Sequence, residues 1–304
     1  MIKLGILEFG YALNKINSTK VIEETVLNSV KIEELGFSRL WIGEHYNEYS
    51  TWSSPEVILS LIVSKTKAIK VGAAGVLLNY HNPYRMIQTF KMLSTLFPNR
   101  IELGFARGGV PDFVKDYIHK LAASDSMDFF INQINQVFKI IENDQKFLNG
   151  NDTGGYIAPV GGAYPDYWFL GTSDAVFEQA VTHKSNFSLS LFHDTSYQKD
   201  NKDLLRIFSE KFYSTNGFLP LKNIAIKCIC LEDKKDLEGW KSKNNYIYKE
   251  GFIIGNKSEC KSRLLELQKK YDTEEIIVSI PFLSGEDNID VKFETLYNIS
   301  DLQL

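Results

Sequence analysis

An α/β fold, a (β/α)8 TIM barrel, is predicted by three observations. Short apolar strands alternate with helical stretches about eight times along the 304 residues. No linker or shift of composition divides the chain, so 1–304 is expected to form a single domain. Ionisable residues and small-residue turns recur where the strands end, which is where barrels of this type carry their chemistry.

The elements follow in order. Lys3 to Glu8 is the first strand, and Ser18 or Thr19 caps a helix whose Ile22, Val26 and Val30 recur at i, i+4 before Gly36 ends it. The second strand, Ser38 to Glu44, is continuously apolar from Leu40 to Ile42, as a strand covered on both faces should be, and delivers His45 at its end. Ser54-Pro55-Glu56 opens a helix to about Thr66, with Ser as cap and Pro in the first turn. Lys70 to Leu78 is the third strand. Its Gly72-Ala73-Ala74-Gly75 marks a bulge or a flat group lying close to the backbone. A loop through Tyr80 and His81 leads to Pro83 and a helix carrying Met86, Phe90, Leu93 and Phe97. Strand four, Ile101 to Ala106, is followed at once by Arg107-Gly108-Gly109.

A helix from Ser126 to Glu142 places Phe130, Ile134, Val137 and Ile141 on one face. Gln145 to Pro165, rich in Gly, Asn, Asp and Pro, is the longest irregular stretch and is expected to be an insertion or a mobile loop. Strand five, Tyr167 to Leu170, meets Gly171-Thr172-Ser173 at a helix start, and strand six, Phe187 to Phe192, ends at His193. A helix over Asp203 to Phe212, strand seven (Ile224 to Leu231), a helix over Ser258 to Lys270, strand eight (Glu275 to Ile280) and a last helix over Val291 to Ile299 complete the pattern.

Composition excludes several classes of function. A hydrophobic share of 44%, a charged share of 24% and a net charge of −4 give no field that would steer the chain to nucleic acid or to a membrane. The start lacks the pattern of a signal peptide and no run approaches a membrane span, so a cytoplasmic location is expected. The three cysteines, Cys228, Cys230 and Cys260, have no zinc-type spacing, no metal site is expected, and core packing is their expected role.

Collected at the strand ends, Glu44, His45, Arg107, Thr172, Ser173 and His193 form one polar set. An ionisable pair such as Glu44 and His45 at the end of a dry strand needs partners or a purpose. Arg107 offers a rigid fork of donors, and Thr172 and Ser173 add hydroxyls, so a phosphate-bearing ligand is implied. The absence of a convincing Lys or of paired carboxylates at the strand ends disfavours a sugar-phosphate isomerase or aldolase.

Four stretches, Leu35-Gly-Phe-Ser-Arg-Leu-Trp-Ile-Gly-Glu-His-Tyr46, Val71-Gly-Ala-Ala-Gly-Val76, Pro98-Asn-Arg-Ile-Glu-Leu-Gly-Phe-Ala-Arg-Gly108 and Phe169-Leu-Gly-Thr-Ser-Asp174, resemble the bacterial luciferase-like flavin monooxygenases. The likeness spans nearly the whole chain and is nearest to the smaller, non-luminescent members. It implies a catalytic His45 beside the flavin with the acidic Glu44 before it. It implies a cis peptide at Ala74-Gly75 under the ring system, Arg107 on the flavin phosphate, and Gly171, Thr172 and Ser173 in the phosphate turn. Tyr46, Tyr80 and His193 are expected to line the substrate pocket. Tyr46, Ala106 and Gly171 replace a histidine, a thiol and an acid of the light-emitting subunit, which argues against luminescence.

The implied reaction is that of a two-component monooxygenase. Reduced FMN from a separate flavin reductase reacts with O2 to a C4a-hydroperoxide that oxygenates a small organic substrate. Two readings compete: hydride transfer with a deazaflavin or flavin, and a non-catalytic flavin-binding partner subunit. A homodimer or paralogous heterodimer through the second and third helices is also implied. Ile58, Ile62, Met86 and Phe90 supply either that interface or the faces that pack on the barrel.

Overall fold

Barrel closure joins strands from the two ends of the chain. The computed structural model describes residues 2–12, 18–118, 125–150, 155–193, 202–243, 249–281 and 288–302. The strands are β1 (Lys3–Glu8), β2 (Arg39–Ile42), β3 (Lys70–Leu77), β4 (Ile101–Ala106), β5 (Asp166–Gly171), β6 (Asn186–Ser190), β7 (Lys222–Cys230), β8 (Phe252–Gly255) and β9 (Glu275–Ser279). All pairings between them are parallel, and β1 to β7 with β9 close an eight-stranded ring in which β9 lies between β7 and β1. The predicted barrel and its eight strands are therefore present. β8 is additional. It pairs only with the upper half of β7, so Lys227 is the point where β7 leaves β9 and takes up β8.

The helices are α1 (Ser18–Glu34), α2 (Pro55–Lys65), α3 (Pro83–Leu96), α4 (Asp112–Ile118), α5 (Met127–Leu148), α6 (Phe177–Thr182), α7 (Leu204–Asn216), α8 (Lys234–Lys243), α9 (Lys257–Tyr271) and α10 (Asn288–Ser300). Asn82, Ser126 and Asn256 cap α3, α5 and α9 with their side chains, whereas Ser54 precedes α2 without a capping hydrogen bond. On α1 the buried row is Thr25, Ser29 and Ile32, one step round from the predicted face. Ser29 tolerates that position because its hydroxyl donates to the Val26 carbonyl at 2.6 Å. Ile58, Ile62, Met86 and Phe90 are all buried against the barrel, which gives them the second of their two expected uses, packing on the barrel. All three cysteines are buried free thiols in the core. No helix among the described residues is long and apolar enough to cross a membrane.

Residues 151–154 of the 145–165 stretch lie outside the described residues, and the rest of it is held in place by α5 and by buried contacts. Its first four residues complete α5. Asp144, fully buried on α5, accepts from Lys91 Nζ at 2.6 Å, from the Ile157 amide at 2.6 Å and from the Tyr164 hydroxyl at 2.5 Å. Lys91 also donates to the Ile157 carbonyl at 2.8 Å. A buried ammonium and carboxylate are tolerable only when so fully paired. Together they clamp the segment onto α3 and α5.

The lower half of the barrel interior holds a second buried network. Arg39 on β2 donates to Glu102 on β4 at 2.7 Å and to Glu275 on β9 at 2.8 Å. Glu102 further accepts from the indole N–H groups of Trp41 at 2.7 Å and Trp168 at 3.2 Å, and Glu275 accepts from Asn223 at 2.9 Å. Room for Arg39 and Glu102 comes from Gly5 and Gly72, where any Cβ would approach these side chains to 2.7 Å.

Candidate active site at the barrel mouth

Above that network, at the C-terminal ends of the strands, lies a cavity of about 580 Å³, within the range of small-molecule sites. Its walls are apolar: Leu7, Trp41, Ala74, Leu170 and Ala225 belong to one buried cluster that the floor network supports from below through Trp41. A cis peptide joins Ala74 and Gly75, as the resemblance implies, and β3 shifts register against β4 between Ala73 and Val76. The bulge expected in the small-residue run is thus present. A Cβ on Gly75 would meet Leu170 at 2.5 Å and Ala106 at 2.8 Å.

The loops after β1 and β2 assemble one rim. Gly43 has no Cβ and admits the Phe9 ring, which a Cβ would meet at 2.4 Å. The Phe9 ring in turn stacks on His45 at 4.3 Å. Trp52 donates to the Gly43 carbonyl at 3.0 Å and packs over Gly10, whose φ of +60° and lack of room both require glycine. The Tyr11 hydroxyl is hydrogen-bonded to His45 Nδ1, so Nε2 is the ring nitrogen left without a partner among the described residues. Burial foremost, then the neighbouring His193, push the His45 pKa down to about 4, with Glu44 opposing and Lys227 adding. His45 is therefore a neutral imidazole at neutral pH, not the half-protonated group its ordinary value would give.

Glu44 is 1% exposed and fully engaged. It accepts from the Leu77 amide at 2.9 Å and from the Tyr46 hydroxyl at 2.7 Å, and both its oxygens lie 2.9 Å from His81 Nε2. Burial works against a charge on His81, but its hydrogen bond to Glu44 and the attraction of that carboxylate lift its pKa above the ordinary value. A raised folded value stabilises the protein fully below about pH 6.5, and that stabilisation disappears as pH rises through the higher folded value. His81→Gln is therefore expected to lower the urea midpoint more at about pH 5.5 than at about pH 9. Equal losses at the two pH values would show that the pair is not charged.

Of the predicted site residues, Glu44, His45, Ala74, Gly75, Arg107, Gly171, Thr172, Ser173 and His193 all line the cavity. Tyr46 and Tyr80 are not among its lining residues. They pack with Leu77 and Val110 in an adjoining cluster, because their hydroxyls are drawn to Glu44 and to Asp125. Gly171 ends β5 and Thr172 and Ser173 form a bend several residues before α6, not a helix start. Arg107, exposed beside Gly108 and Gly109, lines the same cavity as Thr172 and Ser173. Sequence reading missed Phe9, Tyr11 and the Arg39, Glu102 and Glu275 network. The last three had a signal: charged residues inside strands covered on both faces must find one another.

A closed (β/α)8 barrel whose mouth holds a deep cavity with an imidazole, a carboxylate and an exposed guanidinium is the build of a barrel enzyme. Residues 6–237 match the family model described as luciferase-like monooxygenase, and the chain belongs to that family of oxidoreductases. Over 91% of its length it is 29% identical to YwcH of Bacillus subtilis (strain 168), covering 93% of that protein. Among solved structures it is similar to the monooxygenase RslO1 of Streptomyces bottropensis, with a TM-score of 0.81 and 16% identity over 99% of this chain and 98% of that one. It is also similar to the oxygenating constituent of the 3,6-diketocamphane monooxygenase of Pseudomonas putida in complex with FMN, with a TM-score of 0.75 and 14% identity over 99% and 97% of the two chains. An F420-dependent secondary alcohol dehydrogenase aligns with a TM-score of 0.71 and 12% identity over 99% and 98%.

Proposed function

We propose that the chain is the oxygenating component of a two-component monooxygenase. It takes reduced FMN from a separate flavin reductase and, with O2, oxygenates a small organic substrate. The observation that carries this reading is the polarity of the cavity at the barrel mouth. One edge offers an exposed guanidinium, glycine amides and two hydroxyls suited to a phosphate, and the centre offers apolar walls suited to a flat ring system. The donor set thus fits FMN, with Arg107, Thr172 and Ser173 holding the phosphate and Ala74 and Gly75 lying against the ring. Reduced flavin supplies two electrons, so that one oxygen atom enters the substrate and the other leaves as water with two protons.

The chain's own residues would do the rest. Leu7, Trp41, Leu170 and Ala225 keep water from the reacting centre. His45, neutral and anchored through Nδ1, offers Nε2 to hold or pass a proton, and Glu44 fixes the backbone at Leu77 beside it. The outer faces of α2 and α3 leave Val57, Leu61, Met92 and Leu96 exposed, which supports a dimer formed there, of like or paralogous subunits.

The test is an anaerobic titration with reduced FMN, then rapid mixing with O2. Saturable binding is expected, weakened about tenfold or more in Arg107→Ala, with H2O2 released more slowly than by free flavin. The similarity to the F420-dependent dehydrogenase supports a second reading, hydride transfer with a deazaflavin. Binding of reduced F420 in place of FMN, with no response to O2, would decide for it.

A further inference from the structure

One strand carries a charge that the flavin reading leaves unused. The inward face of β7 reads, from bottom to mouth, Asn223, Ala225, Lys227. Asn223 joins the buried floor network and Ala225 lines the cavity, so the next inward residue, Lys227, stands at the rim. Its ammonium lies 5.6 Å from the centre of the Phe192 ring, which also lines the cavity. No carboxylate among the described residues forms an ion pair with Lys227, although the side chain is half-buried. An ammonium taken partly out of water without a counter-charge is costly, and an arriving anion relieves that cost.

A second donor, oriented by a serine, stands in the same place. Ser190 and His193 line the cavity beside Phe192, and Ser190 Oγ lies 2.6 Å from His193 Nδ1. With the serine hydroxyl donating to Nδ1, the ring proton of His193 sits on Nε2. Burial first and then the Lys227 ammonium push His193 below its ordinary pKa, while burial first and then the exposed Lys249 lower that of Lys227. With the imidazole neutral, the cluster presents one formal positive charge with one neutral N–H donor, that of His193, beside it. That matches a monoanion better than a phosphate dianion. The phosphate donors at the ends of β4 and β5, Arg107, Thr172 and Ser173, form a separate set.

We propose that Lys227, Ser190 and His193 form an anion subsite of the cavity, and that the substrate oxygenated there carries a carboxylate. The substrate half of this assignment rests on the monooxygenase reading; the anion subsite does not. The probe is hexanoate, compared with hexanamide, titrated into the FMN-free protein while the ring signals of His45 and His193 are followed by NMR. Hexanoate should bind about tenfold or more tightly than hexanamide and should shift the His193 signal. Lys227→Met should abolish the difference, Lys227→Arg should retain it, and reduced FMN should bind all three proteins alike. Equal binding of the two probes, no response to hexanoate, or a preference that survives Lys227→Met would overturn the subsite. Weakened FMN binding in Lys227→Met would overturn it differently, by giving the lysine to the cofactor phosphate. Failure of the wild-type protein to bind reduced FMN would defeat the oxygenase reading and leave the hexanoate comparison intact.

Discussion

His45→Ala is expected to release H2O2 on the order of a hundredfold faster after bound reduced FMN meets O2, while the affinity for reduced FMN changes by no more than about threefold. The split follows from position. His45 stands on the rim built from the loops after β1 and β2, with Phe9 stacked on its ring and Tyr11 on Nδ1, apart from the phosphate donors at the ends of β4 and β5. On the proposed reading its loss removes a proton-handling group at the reacting centre, opens a void for water and leaves Arg107, Thr172 and Ser173 untouched. His45→Gln should recover part of the delay, since its amide restores a polar group at Nε2. Stopped-flow absorbance with a peroxide assay measures both rates. An unchanged release rate would remove His45 from the chemistry.

Arg39→Met is expected to be the most destabilising single change, by about 3 to 5 kcal/mol, or a fall in melting temperature of roughly 6 to 20 °C. Glu102 and Glu275, 1% and 6% exposed, would lose their shared cation and face one another inside the barrel. Burial already outweighs the pull of Arg39 on Glu102 and holds its pKa above the ordinary carboxylate value. The combined variant Arg39→Met, Glu102→Gln, Glu275→Gln should recover more than half of the loss, because the amides stay neutral and the one oxygen left by Glu102→Gln still accepts from one of the two indoles that now bond to separate oxygens of Glu102. Differential scanning calorimetry on the wild type, the single variant and the combined variant decides the matter. A single-variant shift below about 2 °C would mean that the network tolerates an unpaired carboxylate.

The barrel was legible because its strands are short and mainly apolar, several of them ending in small-residue turns, and helices between them carry spaced apolar rows. What escaped reading lacked those signals. β8 has four residues, α8 buries only Leu237 and Trp240 among its charges, and α4 buries none. At the site, Glu44, His45 and Arg107 were legible as ionisable residues stranded at strand ends. Tyr46 and Tyr80 were misplaced because aromatic character says nothing about which carboxylate a phenol will seek. Lys227 was passed over inside a strand whose other residues read as core. Its role depends on the fork where β7 changes neighbours, and that is visible only in three dimensions.

The pairing of β1 with β9 has a consequence for how the protein is made. Lys3 meets its partner Glu275 only when nearly the whole chain exists. At typical rates of synthesis the first strand leaves the ribosome with one bare edge for roughly 15 to 50 seconds. Arg39 waits over much of the same interval for the second of its two carboxylates, which β9 supplies. Nascent chains stalled before residue 275 should therefore be the natural clients of chaperones that shelter open strands.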